Sequence, residues 1–196
     1  MVGEGVLIEC LSNPQITEVL SVSRKPTGRT HPKLKEYIVS DFLSLKENDK
    51  SLNGYDACFF CAGVSSIGMK EPEYTRITYD TTLNFAKALN PNSKLSFIYV
   101  SGTGTDSSEK GKSMWARVKG KTENDLMKLL FKRVFAFRPG FMKNIAGQKN
   151  LPKWYKYGSW MFPVFKALGI ANTMQQVAQA MIYAVQNGYE KSRCKR

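Results

Sequence analysis

The sequence has few of the residues that build metal centres and proton relays. Its single histidine, His31, lies in the loop-like stretch "GRTHPKLK", which argues against a Ser-His-Asp relay or a histidine metal site. No apolar run is long enough to span a bilayer. The first residues also lack the pattern of a signal peptide. We therefore expect a cytoplasmic protein without a transmembrane segment.

Cysteine is scarce as well, with four in the chain. Cys58 and Cys61 form a C-x-x-C pattern within "DACFFCAG", a stretch that has the pattern of a buried strand. Positions three apart on a strand point to opposite faces, and no second cysteine pair is present to complete a metal site. We expect core thiols in a reducing compartment rather than metal ligands or a redox pair.

Acidic residues are in the minority, because 29 Lys and Arg face 16 Asp and Glu, a formal net charge of +13. A charge of this sign attracts phosphorylated cofactors, nucleic acid or anionic lipid. The basic residues are scattered, however, and no helix-turn-helix, zinc or RNA-binding motif accompanies them. The charge therefore predicts no specific nucleic-acid partner.

The chain does contain a regular alternation of apolar runs and helical patterns. Its length of 196 residues is typical of one domain, so a single domain, 1–196, is predicted. Strands are predicted for the apolar runs at 18–24, 36–41, 56–63, 95–102 and 133–140. Helices are predicted at 5–13, 71–90, 115–131 and 172–188. This order predicts an α/β fold, a doubly wound parallel sheet in three α/β/α layers. Ligands of such sheets bind beyond the carboxyl ends of the strands.

Both ends of the pattern are unusual. The sequence opens on the turn and helix "MVGEGVLIECL" with no strand before it, and it closes on the basic "KSRCKR" where a last strand is expected. The first and the last strands of the sheet are therefore predicted to be missing or divergent.

The motifs along the chain resemble those of a known family. In order they are "MVGEGVL", "SVSRKP", "FFCAG", "YVSGTGTD", "WARVKGKTE" and "FRPG", and they resemble the atypical short-chain dehydrogenases/reductases, which are NAD(P)H-binding, epimerase-like Rossmann proteins. That family's G-x-x-G-x-x-G turn holds the cofactor pyrophosphate, and only its last glycine has a counterpart, Gly3. We expect the sequence to be a fragment, with true loss of the first strand as the alternative, and weak or no dinucleotide binding by residues 1–196 alone.

The resemblance implies a set of cofactor-binding residues after the early strands. Ser23, Arg24 and Lys25 follow the second strand of the family, where an arginine in place of an acid suits the 2′-phosphate of NADP. NADP (NADPH) is thus expected over NAD, the alternative being a solvated basic turn. Asp41 resembles the residue at the adenine edge, or is a helix N-cap.

Three further positions complete the implied cofactor site. Ala62 and Gly63 resemble the small residues beneath the ribose and nicotinamide, where a larger side chain would collide with the cofactor. The alternative for Ala62 and Gly63 is an ordinary turn from a strand into a loop, with no ligand. Pro139, in "RPG", lies in the segment that follows the family's sixth strand and turns toward the substrate.

The resemblance also implies a catalytic helix of the form Tyr-x-x-x-Lys, in which tyrosine transfers the proton and lysine holds the ribose. In "MWARVKGKTE" the lysine is Lys119, but Trp115 stands in the tyrosine position and its indole N–H is not a usable acid. Trp115 is then expected to pack at the mouth of the cleft. Lys119 either holds the ribose or is an ordinary lysine on the helix surface. Ser101 or Thr103 would orient the substrate oxygen.

The region 141–171 is predicted to be a lid or insertion on the substrate side. Its stretch 148–169 mixes lysine with aromatic residues, so peripheral membrane contact is the alternative there.

Two functions stay open: an NADP-preferring oxidoreductase or epimerase-like enzyme acting on a small carbonyl or sugar-like substrate, and a non-catalytic NADP-binding regulatory or scaffold protein. Its partners would be the dinucleotide and a small-molecule substrate, and the protein itself a monomer or homodimer.

Overall fold

The computed structural model describes residues 1–149 and 171–195. Its strands are β1 Val19–Ser23, β2 Leu34–Ile38, β3 Ala57–Phe60, β4 Ser96–Val100, β5 Arg133–Arg138, β6 Phe141–Lys143, β7 Ala171–Thr173 and β8 Arg193–Lys195. Its α-helices are α1 Val2–Ser12, α2 Glu71–Thr75, α3 Thr81–Ala88, α4 Met114–Leu126 and α5 Met174–Asn187. A π-helical turn, Arg76–Asp80, joins α2 to α3, and short 3-10 helices lie at Phe42–Ser44 and Lys50–Leu52. None of these helices is long and apolar enough to cross a membrane.

Every strand pairing in the described residues is parallel. The main sheet has the order β3-β4-β5-β8, whereas β1 pairs with β2 and β6 pairs with β7. Parallel strands linked through helices confirm the predicted α/β class. The basic end of the chain is a divergent strand rather than a missing one, because β8 pairs with β5 over three residues. β1 and β3 do not pair with each other.

Two apolar clusters lie on opposite faces of the main sheet. We call them the α3–α4 core, which includes Phe60, Phe85, Phe97 and Leu126, and the α1–α5 core, which includes Val6, Ile98, Phe135, Met174 and Met181. Along β4 the buried side chains alternate between the two, as the period of a strand requires. Helices therefore cover both faces, which gives the predicted three layers.

The C-x-x-C cysteines follow the same alternation. Cys58 packs against the α3–α4 core, and Cys61 packs against the α1–α5 core. Burial, together with the smaller effect of the nearby Cys10, raises the pKa of the Cys61 thiol to about 12. The predicted divergence of the two thiols across the sheet is confirmed, and both are packing residues.

Helix α5 has a capping box at its start and a glycine at its end. The Thr173 hydroxyl accepts the Gln176 amide at 3.1 Å, the Gln176 side chain accepts the Thr173 amide at 2.9 Å, and Gly188 ends the helix at φ 79°. The predicted lid at 141–171 is bounded by β6 and β7, which pair in parallel. Residues 150–170, with most of the stretch 148–169, lie outside the described residues.

Candidate functional site

Ser101 directly follows β4 and is 7% exposed. Its hydroxyl donates to Oε1 of Glu123 at 2.5 Å and lies 3.3 Å from the carbonyl of Phe137. Since a serine hydroxyl carries one proton, Ser101 has none left for a substrate oxygen while the bond to Glu123 is made. In this arrangement its hydroxyl anchors the end of β4 to α4.

Glu123 is the centre of a buried ionic network that the sequence analysis did not identify. Its side chain is fully buried. It accepts both Nε, at 2.9 Å, and Nη2 of Arg138, and it lies 3.3 Å from Nε of Arg193. The bidentate pairing with Arg138, itself 6% exposed, compensates the cost of burying the carboxylate. One signal for it was available, since Glu123 lies four residues after Lys119 and so on the same helical face.

Lys119 projects from α4 toward the end of β4. Its Nζ donates to the backbone carbonyl of Ser101 at 2.6 Å. Burial lowers the pKa of the amine from 10.5 to about 8, although the carboxylate of Glu123 acts in the opposite direction. An amine with this pKa exchanges a proton readily close to neutral pH, which a surface lysine does not.

The loop between β4 and α4 carries the other rim residues. Thr103 is exposed; its amide donates to the carbonyl of Pro139 at 3.0 Å and its hydroxyl to the carbonyl of Arg138 at 3.1 Å. Trp115 lies over this loop, with its ring 3.4 Å from the position of a Cβ on Gly104. The indole is thus a packing group against the loop, as expected for Trp115.

The small residues after β3 lie beside this group. Ala62 and Gly63 are exposed, and a Cβ on Gly63 would meet no atom within 4 Å. Phe60 and Tyr99 are the last pair of β3 and β4, so Ala62 and Ser101, each two residues further along, follow the same end of the sheet. Five predicted positions therefore converge at the rim of the main sheet: Ala62, Ser101, Thr103, Lys119 and Pro139.

The remaining predicted residues follow the separate β1–β2 pair. Ser23 donates from its hydroxyl to the carbonyl of Lys25 at 2.7 Å, which forms a tight turn. The side chains of Arg24 and Lys25 are exposed and have no ion-pair partner in the described part of the chain. Asp41 accepts the amide of Leu43 at 2.9 Å as the N-cap of a 3-10 helix, which is the second of its two predicted roles.

Gly3, in the first turn of α1, lies against the end of β3. A Cβ there would be 3.4 Å from Cβ of Cys61, so the absence of a side chain allows the helix to approach the strand. Nearby, Arg29 donates to Glu4 at 2.9 Å and to the carbonyl of Gly147 at 2.6 Å. This contact ties the loop after β1 to α1, and no motif in the sequence signals it.

No protein-family model matches the chain. Among characterised proteins it is similar to the mitochondrial protein fmp52 of Emericella nidulans, 28% identical over 157 residues that cover 76% of this chain and 65% of that protein. It is also similar to protein HTATIP2 of Rattus norvegicus, 27% identical over 147 residues that cover 74% of this chain and 59% of that protein. The matches thus span less than two thirds of either relative.

Solved structures show the same architecture. A UDP-N-acetylglucosamine 4-epimerase from Methanobrevibacter ruminantium, in complex with UDP-N-acetylmuramic acid, superposes over 96% of this chain and 71% of its own, with a TM-score of 0.69 and 16% identity. The Bordetella bronchiseptica enzyme WbmH, in complex with NAD+, superposes over 95% of this chain and 68% of its own, with a TM-score of 0.62 and 13% identity. The chain has the Rossmann-like fold of the epimerases and short-chain dehydrogenases/reductases, and the resemblance to the atypical members that its motifs predicted is confirmed.

Proposed function

We propose that the chain is an NADP(H)-binding, oxidoreductase or epimerase-like protein acting on a small carbonyl or sugar-like substrate. The observation that carries this proposal is the amine of Lys119, held at 2.6 Å from the carbonyl of Ser101 with its pKa lowered to about 8. WbmH was solved with NAD+ and the M. ruminantium epimerase with a sugar nucleotide, which supports a dinucleotide and a sugar-like substrate here.

The residues at the rim of the main sheet would each have a separate role in the reaction. The nicotinamide cofactor supplies hydride transfer when it is bound. Lys119 donates hydrogen bonds to the cofactor ribose. The exposed hydroxyl of Thr103 would turn from the carbonyl of Arg138, to which it donates at 3.1 Å, to the substrate oxygen. Lys119 also carries the proton, directly or through water, because Trp115 cannot supply one.

The preference for NADP rests on the turn after β1. Arg24 and Lys25 present two exposed cations in the turn after β1, which supports an adenosine ribose site there. A guanidinium pairs with the oxygens of a 2′-phosphate through parallel hydrogen bonds. Replacing Arg24 with an acid should therefore weaken NADPH binding more than NADH binding.

A second candidate function is a non-catalytic NADP-binding protein that acts through partners. The observation favouring it is Trp115, which packs on the loop at Gly104 in the position of the expected acid. The two candidates differ in one result: an enzyme oxidises NADPH in the presence of a suitable carbonyl compound, and a sensor binds it without turnover.

The test compares wild type with Lys119→Met and Arg24→Glu in NADPH and NADH titrations and in a screen of carbonyl and sugar-nucleotide substrates. Lys112→Met and Lys94→Glu are matched controls, because both lysines are exposed and lie outside the proposed site. Loss of binding in both site variants but in neither control supports the proposed site. Equal binding by all five proteins contradicts it.

Four further expectations stay predictions. They are the cytoplasmic location, the monomeric or homodimeric state, the lid at 141–171 and the peripheral membrane contact through 148–169. Three of the similar curated proteins carry "mitochondrial" in their names, so the location is best tested by fractionation of the natural host.

A further inference from the structure

The amine of Lys119 differs from two nearby lysines in the group that it contacts. Its Nζ donates to the backbone carbonyl of Ser101 at 2.6 Å, and no carboxylate within the described residues forms an ion pair with it. Lys121 and Lys128 instead donate to the carboxylate of Asp125 at 2.7 Å and 2.6 Å. An opposite charge in contact favours the ammonium form of a lysine, and Lys119 has no such contact.

The carboxylate one helical turn further along, Glu123, is bonded to other groups. It accepts two hydrogen bonds from Arg138 and one from the Ser101 hydroxyl, and Arg193 lies 3.3 Å from it. Its charge opposes the effect of burial on Lys119, but burial is the larger effect and lowers the pKa of the amine from 10.5 to about 8. Roughly a tenth of such an amine is neutral at pH 7, against about one part in three thousand for an ordinary lysine.

Space for a small molecule lies beside this amine. Gly102 directly follows Ser101, and a Cβ added to Gly102 would meet no atom within 4 Å. The same holds at Gly63, which lies beyond the neighbouring strand β3 at the same end of the sheet. Thr103 adds an exposed hydroxyl to this edge. The half-buried amine of Lys119 therefore borders an open, polar edge that a molecule of a few atoms can reach.

The rim has few other groups that react with a carbonyl compound. Trp115 stands in the position of the expected acid, and its indole N–H is a donor that does not titrate. Of the five residues at the rim, Lys119 alone has a side chain that gains or loses a proton near neutral pH. Lysines with a lowered proton affinity in a desolvated site are the amines that enzymes use as nucleophiles.

We propose that Lys119 is a nucleophile that forms an imine with a small aldehyde or ketone. Its neutral nitrogen attacks the carbonyl carbon, a C–N bond forms, and the π electrons of the C=O bond move to the oxygen. The nitrogen loses one proton and the oxygen gains one, which gives a carbinolamine. The oxygen then takes a second proton from solvent and leaves as water, while the nitrogen lone pair closes the C=N bond. The protonated imine carries one positive charge, and nothing is oxidised or reduced.

The test traps the imine on the folded chain with propanal and sodium cyanoborohydride, and mass spectrometry of peptides follows each lysine. Reduction converts the imine into a stable propylamine, so the adduct reports how fast the imine forms. We expect Lys119 to be modified at least about tenfold faster than Lys112 at pH 7. Lys112 is the internal control, because it is exposed and lies just before the same helix. In urea the two rates should become equal.

The pH dependence separates nucleophilic reactivity from access. The ratio of the Lys119 rate to the Lys112 rate should be largest below about pH 8 and fall at higher pH, where ordinary lysines also begin to lose their protons. A ratio near one, a ratio that does not change with pH, or a ratio that persists in urea would each overturn the proposal. The proposal shares a carbonyl substrate with the proposed function, but the measurement contains no nucleotide, so its outcome is separate from that of dinucleotide binding.

Discussion

At the scale of single residues, Lys119 makes stability depend on pH. Its pKa falls from 10.5 to about 8 through burial, so between those values the unfolded chain binds more protons than the folded one. Stability therefore rises with pH in this window, and below pH 8 the folded state carries the full cost of the buried cation. Buried thiols such as Cys61, with a raised pKa, act in the opposite direction above about pH 9 in wild type and variant alike. In urea unfolding from pH 7 to 10, the stability of wild type minus that of Lys119→Met should therefore rise with pH. An unchanged pH dependence in the variant, with Lys112→Met as control, would contradict the assignment.

Glu123 gives a second prediction at this scale. Glu123→Gln removes the carboxylate between two arginines and leaves the buried Arg138 guanidinium uncompensated, which should cost about 3–5 kcal/mol of unfolding free energy. Lys121→Ala breaks an exposed pair with Asp125 on the same helix and should cost no more than about 1 kcal/mol. Chemical denaturation of both variants measures the difference. Equal losses of unfolding free energy in the two variants would show that burial does not increase the contribution of the Glu123 network to stability.

The sequence predicted some of these side chains and not others. Lys119 and the rim residues Ser101 and Thr103 stand in motifs of fixed spacing, so a resemblance finds them. The partners Arg138 and Arg193 come to Glu123 from strands 15 and 70 residues further along the chain. Such pairings depend on the order of strands in the sheet, which local patterns do not contain.

At the scale of elements, Gly120 sets how closely the loop after β4 approaches α4. A Cβ at Gly120 would lie 1.7 Å from the carbonyl oxygen of Asp106, and backbone cannot rotate away as a side chain does. Gly120→Ala should therefore destabilise the protein by about 1–3 kcal/mol, although alanine is the better helix former. Thermal unfolding measures the effect.

Gly63→Ala is the matched control for Gly120→Ala, because a Cβ at Gly63 meets nothing within 4 Å. Its stability should equal that of wild type, while a dinucleotide passing over the residue would bind more weakly. A stable Gly120→Ala protein would show that the loop moves freely relative to α4.

Periodicity located most elements within a few residues. β2 begins at Leu34, two residues before the predicted start, and ends three residues early. The predicted helix at 71–90 is interrupted by a π turn at Arg76–Asp80. These differences arise because packing against neighbouring elements, not local preference, fixes where an element begins and ends.

At the scale of the whole molecule, the described strands form separate hydrogen-bonded units. β4 is bonded on both sides and its residues Ser96–Tyr99 are buried, whereas every residue of β1 is partly exposed. Native-state hydrogen exchange should therefore show β1 and β2 opening at lower free energy than β4. Identical opening free energies throughout would mean that the two units unfold as one.

The parallel order, the two apolar layers and the rim of polar strand ends were predictable, because each follows from alternation of strand and helix patterns. The separation of β1 from β3 was visible in the sequence only as a helix with no strand before it. Which strand edges face each other follows from the order of strands in the assembled sheet, and no local sequence pattern contains that order.

The most direct test of the proposed function is a titration of the chain with NADPH and with NADH, followed by amide resonances in Ser101–Thr105 and at Lys119. Only the last glycine of the pyrophosphate turn, Gly3, has a counterpart, so we expect weak binding, in which millimolar NADPH still shifts these resonances. We also expect NADPH to act at lower concentration than NADH, and Arg24→Glu to remove the difference. Resonances that stay unmoved by either nucleotide at millimolar concentration would contradict dinucleotide binding at this rim.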